Sequence, residues 1–263
     1  MNKQRPKVMV AGATGYIGGG VLQVLHQKGF WIRALCREKS RLVNPNWYND
    51  IMDISALRTE YIQATLSRQE LNLDPFKQFE QWFQQAIEAN LPEPNAMILA
   101  TASATGSPST RAVLLKYFDR SGFVFFSNYE SKKAQQIQEN PRVSLLFLWL
   151  GLQRQVQILG TADKISTASS LKYFATRPRG SQLGAWSSMQ STIISSRQIL
   201  EMKFEEIKRK FLNCQVPLPS FWGGYKVVPK SFEFWQGRPH RLHDRFLYSR
   251  CEDGFWKIER LSP

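Results

Sequence analysis

Histidine and cysteine are scarce in this chain. Among 263 residues the only histidines are His26, His240 and His243, and the only cysteines are Cys36, Cys214 and Cys251. A metal centre built on histidine and a Ser-His-Asp hydrolytic set have almost no material here. Three cysteines far apart, an odd number without ligand-like spacing, exclude a disulfide framework and a structural zinc site and fit a reducing cytoplasm. The Gly-x-Ser-x-Gly, His-Glu-x-x-His and P-loop patterns are missing. So is any uninterrupted apolar run of about 18 residues, so no membrane span is expected. The N-terminus, Met1 to Lys7, is basic, but residues 11–15 break the apolar stretch behind it, which makes it a poor secretory signal.

What the chain does have is positive charge. The formal net charge is +14, with eight Lys or Arg against two acids in residues 1–50 and the rest of the excess dispersed beyond them. Such a balance fits phosphorylated small molecules, an anionic surface or nucleic acid. A nucleic-acid stripe needs the cations gathered in one place, and no run gathers them, so no nucleic-acid partner is expected. A hydrophobic fraction of 43%, with 13% aromatic residues, supports a packed core.

The first fifty residues differ in kind from the rest. Residues 7–11 read as a buried strand, Gly12-Ala13-Thr14-Gly15-Tyr16-Ile17-Gly18 as a glycine-rich turn, residues 21–25 as a helix and residues 30–35 as a second strand. This β-α-β unit resembles the start of an atypical short-chain dehydrogenase. In such proteins the place of Arg37 often holds the 2′-phosphate of NADP; the bland alternative, a glycine turn without ligand, is preferred for so short a unit. A turn-rich linker, Asn44 to Asp50, follows. The expected division is a truncated Rossmann-like appendage and linker at 1–50 and a functional domain at 51–263.

From Asp74 the chain reads as an α+β domain. Asp74-Pro75 is a helix start, and Phe76, Phe79, Phe83 and Ile87 give it one apolar face. Strands are expected over residues 97–103, 111–117, 123–128, 143–149 and 155–162, with short turns that suggest antiparallel pairing in a barrel or sandwich. Helices are expected over 166–176 and 195–212, the latter opened by a Ser195/Gln198 capping box. Closing strands are expected at 224–228, 231–236, 245–248 and 255–259.

Cations and hydroxyls recur at strand ends among aromatics, a set suited to a planar, aromatic, phosphorylated ligand. In a strand that alternates faces, Arg111, Val113 and Leu115 share one side and Lys116 the other. Arg111 is a phosphate ligand or an exposed strand end. Ser131-Lys132-Lys133 opens a helix as a phosphate site or as a solvated turn. Phe234 to Arg245 places three more arginines and two histidines behind an aromatic strand end, more cations than a loop needs for folding.

That last run, Phe234-Trp235-Gln236-Gly237 through Arg241-Leu242-His243-Asp244-Arg245, resembles the C-terminal signature of the pyridoxamine 5′-phosphate oxidase family. In the same order, Asn95-Ala96-Met97, Arg111 to Lys116, Arg142 to Phe147, Arg154-Gln155-Val156, Tyr173-Phe174, Arg177-Pro178-Arg179, Ser181-Gln182, Gly184-Ala185-Trp186, Gln190-Ser191, Val216 to Pro219, Trp222-Gly223-Gly224 and Trp256-Lys257-Ile258 resemble it too. The resemblance runs from about Leu57 to Pro263.

It implies an FMN-binding split β-barrel homodimer that oxidises pyridoxamine and pyridoxine 5′-phosphates with O2. The products are pyridoxal 5′-phosphate, hydrogen peroxide and, from the amine, ammonia. By resemblance, Arg111, Ala112, Val113, Leu114, Leu115, Lys116, Phe126, Ser127, Lys132, Lys133, Gln155, Gln190, Ser191, Trp235 and Arg245 contact FMN. Lys116, Tyr173, Arg177 and Ser181 hold the substrate phosphate, and Arg241 and His243 lie over the pyridine ring as the catalytic pair. Arg58-Thr59-Glu60-Tyr61 resembles the strip that covers the substrate, with Arg58 and Tyr61 as its contacts. Two positions depart from the family: Lys132 replaces an arginine, keeping charge but losing the bidentate fork, and Thr59 replaces a second arginine. A non-catalytic flavin or pyridoxal phosphate binder, disfavoured by Arg241 and His243, and an NADP-dependent reductase, disfavoured by the short N-terminal unit, are the alternatives.

Overall fold

The chain divides between Glu60 and Tyr61 into two units. The computed structural model describes residues 7–11, 16–28, 30–36, 50–53, 60–62 and 64–263. In the first unit β1 (Lys7–Ala11), α1 (Tyr16–Gln27) and β2 (Trp31–Cys36) make a parallel β-α-β motif. A further strand, β3 (Asp50–Asp53), pairs parallel with β2, Arg33 opposite Asp50. The sheet order is β1-β2-β3. A division at residue 50 falls on the first residue of β3, whose apolar content, Ile51 and Met52 between two aspartates, is too short for periodicity to mark. Gly12, Gly15, Arg37, Arg58 and Thr59 lie outside the described residues.

In the second unit, helix α2 (Pro75–Glu88) starts where its sequence directs. The Asp74 carboxylate accepts the Phe76 N–H at 3.0 Å, and Pro75 occupies the first turn. The buried face is Phe76, Phe79, Trp82 and Ala86; Phe83 is half-buried and Ile87 is exposed, so the face is rotated from the one expected. Phe79 lies within 6.0 Å, ring centre to ring centre, of Phe83, Phe118, Phe123, Phe147 and Trp149, and so joins the helix to the sheet.

That sheet has nine strands. They are β4 (Ala96–Ala102), β5 (Pro108–Leu114), β6 (Tyr117–Asp119), β7 (Gly122–Asn128), β8 (Arg142–Trp149), β9 (Arg154–Lys164), β10 (Trp222–Gln236), β11 (Asp244–Arg250) and β12 (Trp256–Leu261). Every pairing among them is antiparallel. The order runs β12-β11-β10-β9-β8-β4-β5, while β7 pairs with both β10 and β6 and curls the sheet on itself. The two strands expected at 224–228 and 231–236 are one, β10, with its register shifted between Pro229 and Ser231; proline breaks the ladder locally without ending the strand.

Helices α3 (Lys132–Glu139), α4 (Thr167–Thr176), α5 (Arg179–Ser187) and α6 (Arg197–Lys210) flank the sheet. Ser196, not Ser195, is the cap position of α6, and its side chain makes no capping bond, so the Ser195/Gln198 box does not form. Helix α5 was not anticipated, because Arg177 to Gly180 reads as a break. Among the described residues no helix is long and apolar enough to cross a membrane.

Candidate active site

A cavity of about 890 Å3 opens between β5, β7, α4, α5 and the start of β10. Its apolar wall is a stack of rings. Phe126 lies 3.9 Å from Tyr173 and 5.2 Å from Trp222 between ring centres, with interplanar angles of 19° and 14°. Close packing there needs glycine: a Cβ on Gly224 would sit 2.4 Å from Ile165 and 3.0 Å from the Phe126 ring.

The other walls carry cations. Pro178 stops α4, leaving Arg177 on extended backbone (φ −72°, ψ 145°) at the cavity. The Arg177 guanidinium lies 4.6 Å over Trp222. Its Nη1 is buried with no hydrogen-bond partner, and burial holds its pKa below the usual arginine value. Arg111 donates through Nη1 to the Leu99 carbonyl at 3.2 Å and to Thr101 Oγ1. Lys133 donates to Gln190 Oε1 at 2.5 Å and to Ser131 Oγ at 3.2 Å. Burial, and then the charge of Arg111, push Lys133 down to about 8.

A smaller cavity, about 430 Å3, adjoins through Arg111 and Lys133 and adds Ser109, Thr110, Lys132 and Ser191. There the Lys132 backbone N–H, at the start of α3, donates to Ser191 Oγ at 3.2 Å. A helix start carrying two lysines favours an anion.

The remaining expected site residues gather elsewhere. Gln155, Trp235 and Arg245 lie side by side across β9, β10 and β11. Arg245 donates to Glu233 at 2.8 Å, which raises its pKa. His243 packs 4.6 Å from Trp235, and Tyr61 lies edge-on to Trp235 at 5.7 Å and to His243 at 5.8 Å. His243 Nδ1 accepts the Arg238 N–H at 3.1 Å, and burial, with Arg241 and Arg245, lowers its pKa. Arg241 is exposed on a tight turn in which both it and His240 have positive φ, 63° and 56°.

The expected residues thus form two groups on one chain. Arg111 to Leu114, Lys116, Phe126, Ser127, Lys133, Tyr173, Arg177, Ser181 and Gln190 line the large cavity, and Lys132 and Ser191 the small one. Tyr61, Gln155, Trp235, Arg241, His243 and Arg245 belong to the second group. Trp222 and Trp235 stand at opposite ends of β10, roughly 40 Å apart along the strand at about 3.3 Å per residue. Leu115 is core, 4% exposed, and lines neither cavity. Arg111 and Lys116 share the cavity despite the face alternation expected of them, because β5 ends at Leu114. Asn128, Trp222 and Thr176 also line the cavity without having been assigned a role. For Trp222 the available signal was its place at the head of the Trp-Gly-Gly run.

Comparison with known proteins matches residues 83–211 to the family described as Pyridoxamine 5′-phosphate oxidase and residues 222–263 to the Pyridoxine 5′-phosphate oxidase C-terminal dimerisation region. A pyridoxine/pyridoxamine 5′-phosphate oxidase of Rippkaea orientalis is 70% identical over 212 residues, 81% of this chain and 100% of that protein. The chain belongs to the pyridoxamine 5′-phosphate oxidase family. Its fold is also that of PhzG from Burkholderia lata 383, solved with tetrahydrophenazine-1-carboxylic acid (27% identity, TM-score 0.71, covering 76% of this chain and 98% of that one). A pyridoxamine 5′-phosphate oxidase-related, FMN-binding protein of Nostoc punctiforme shares the fold at 17% identity and a TM-score of 0.57, covering 73% of this chain and 100% of that one.

A half-buried guanidinium with one buried, unpaired N–H donor costs stability until an anion meets it. In the ligand-free protein, Arg177→Met should therefore leave the melting temperature unchanged or raise it. Calorimetry showing a fall of several degrees, about 2–4 °C per kcal/mol for a domain of this size, would assign Arg177 to stability rather than to ligand.

Proposed function

We propose that this protein oxidises pyridoxamine 5′-phosphate and pyridoxine 5′-phosphate to pyridoxal 5′-phosphate, with FMN as cofactor, and that two copies of the chain complete each site. The observation that carries the reading is the Arg177 guanidinium. It is stacked on an aromatic wall and half-buried, and its Nη1 is buried without a partner, which suits the phosphate of a planar aromatic ligand. Lys116, Tyr173 and Ser181 complete that phosphate grip. Arg111, Lys132, Lys133, Ser127, Gln190 and Ser191, with the backbone of residues 112–115 and the Phe126 ring, hold FMN.

FMN, when bound, supplies the two-electron acceptor that takes hydride from the substrate carbon and passes the electrons to O2, giving peroxide. The chain positions and charges the site. Gln155, Trp235 and Arg245, contributed by the second copy, close on the cofactor. Arg241 and His243 lie over the pyridine ring and orient the reacting carbon, and Tyr61, with Arg58, covers it. The lowered pKa of His243 keeps its imidazole neutral near pH 7, with Nδ1 occupied by the Arg238 N–H, so Nε2–H is the donor it presents. The match to residues 222–263 as a dimerisation region supports assembly through β10 to β12. Residues 1–50 are placed outside this chemistry: the Rippkaea relative is matched over its whole length by 81% of this chain.

The full-length holoprotein should release peroxide and pyridoxal 5′-phosphate from pyridoxamine 5′-phosphate, and deletion of residues 1–50 should leave that turnover intact. Arg241→Ala should lower kcat/KM by about a hundredfold without expelling FMN. A flavin-loaded protein inert toward both phosphates would refute the reading.

Titration of FMN binding against pH gives an independent check. In the free protein Lys133 loses its proton near pH 8, so phosphate binding above that pH must take a proton up. The Kd should be flat between about pH 7 and 8, then rise by up to about tenfold per pH unit, the limit for one linked proton. Lys133→Met should weaken binding and remove the step. A wild-type Kd unchanged to pH 9.5 would take Lys133 out of the phosphate site.

A further inference from the structure

We infer that Asp244 is a positioning residue for this reaction, clamping the segment that carries Tyr61 onto the turn that carries Arg241 and His243. The inference rests on the oxidase reading above. Asp244 opens β11, and its carboxylate serves three other parts of the chain at once. Oδ2 accepts the backbone N–H of Leu66 at 3.1 Å. Oδ1 accepts from Arg260 on β12 at 2.7 Å. Arg238, in the turn after β10, brings its Nε to 3.7 Å of Oδ2.

Each contact bears on the site. Leu66 is buried in the core, and the next amide, Ser67 N–H, is taken by Glu70 at 2.7 Å, so two carboxylates hold consecutive amides of the segment. A few residues upstream, the Tyr61 ring lies directly on Gly237: a Cβ there would stand 2.7 Å from Tyr61 Cγ. Only glycine at 237 lets the ring reach Trp235 and His243. Arg238, drawn to Asp244 by its side chain, gives its own backbone N–H to His243 Nδ1. One carboxylate thus fixes both the cover, through Leu66, and the imidazole, through Arg238. Asp244 lines neither cavity, which makes its role one of placement.

The rival explanation is that Asp244 merely fastens β11 to β12 through Arg260. Three variants of the full-length holoenzyme separate the two. Asp244→Ala should raise KM for pyridoxamine 5′-phosphate about tenfold while kcat stays within about threefold, and hydrogen exchange over residues 61–66 should accelerate. Asp244→Asn keeps an acceptor for the Leu66 N–H but loses the charge, so it should fall between wild type and Asp244→Ala. Arg260→Ala loses the pair to Asp244 and the guanidinium's place 4.4 Å over the Phe246 ring, both within the β11–β12 edge, and should leave KM and exchange over 61–66 as in wild type. Should Asp244→Ala not fold, Asp244→Asn against Arg260→Ala decides the matter, with an increase in KM and exchange in the former alone supporting the clamp. Equal values in those two, or an unchanged KM in Asp244→Ala, would overturn it. A wild-type enzyme that does not turn over the substrate would refute the oxidase reading instead, while the exchange arm still tests the clamp.

Discussion

Strand β10 pairs along its fifteen residues with β9, β7 and β11, and the separation of its two ends constrains the rest of the site. Its first residue, Trp222, lines the cationic cavity; near its other end Trp235 stands beside Gln155 and Arg245. An extended strand cannot fold back to bring these ends together. A bulge at Pro229 bends it without shortening it enough. Any ligand that uses both groups of residues must therefore be reached by the far end of another β10. On the proposed reading, a second copy related by two-fold symmetry would supply both missing halves in one step, since each chain offers the same two surfaces.

The cavity's electrostatics fit a site built for an anion rather than for stability. Arg111, Lys133 and Arg177 are all held below their usual pKa by burial, and no carboxylate of the described residues pairs with any of them. Their hydrogen bonds go to carbonyl, hydroxyl and amide oxygens, which fix the side chains but do not neutralise them. Around the second group three cations are paired with carboxylates: Arg245 with Glu233, and Arg238 and Arg260 with Asp244, whereas Arg177 retains a donor to offer.

Much of this was legible in the sequence, and what was not has physical causes. Asp74-Pro75 and the spacing of Phe76 and Phe79 located α2, because capping and periodicity are local. The buried face still turned toward Trp82 and Ala86, since tertiary packing chooses among neighbouring stripes. Strand β10 read as two because Pro229 is a local breaker, whereas its continuity is secured by partners seventy and a hundred residues away in sequence on β9 and β7. Helix α5 hid behind Arg177-Pro178, and β3 behind its aspartates. The candidate site residues follow from the family resemblance of the run Phe234 to Arg245 and its upstream companions. Their separation into two groups was not, because it depends on which end of which strand each residue occupies.

If the two half-sites of one chain meet only between copies, mixed dimers should recover the activity that each variant alone has lost. Arg177→Met disables the cavity half and Arg241→Ala the other, so each homodimer alone should turn over little substrate. If the two variants are unfolded and reassembled together, about half of the dimers are mixed and each holds one intact site, so about a quarter of wild-type turnover should return. Activity no greater than that of the separate variants would show that each chain builds its site alone, and would contradict the account.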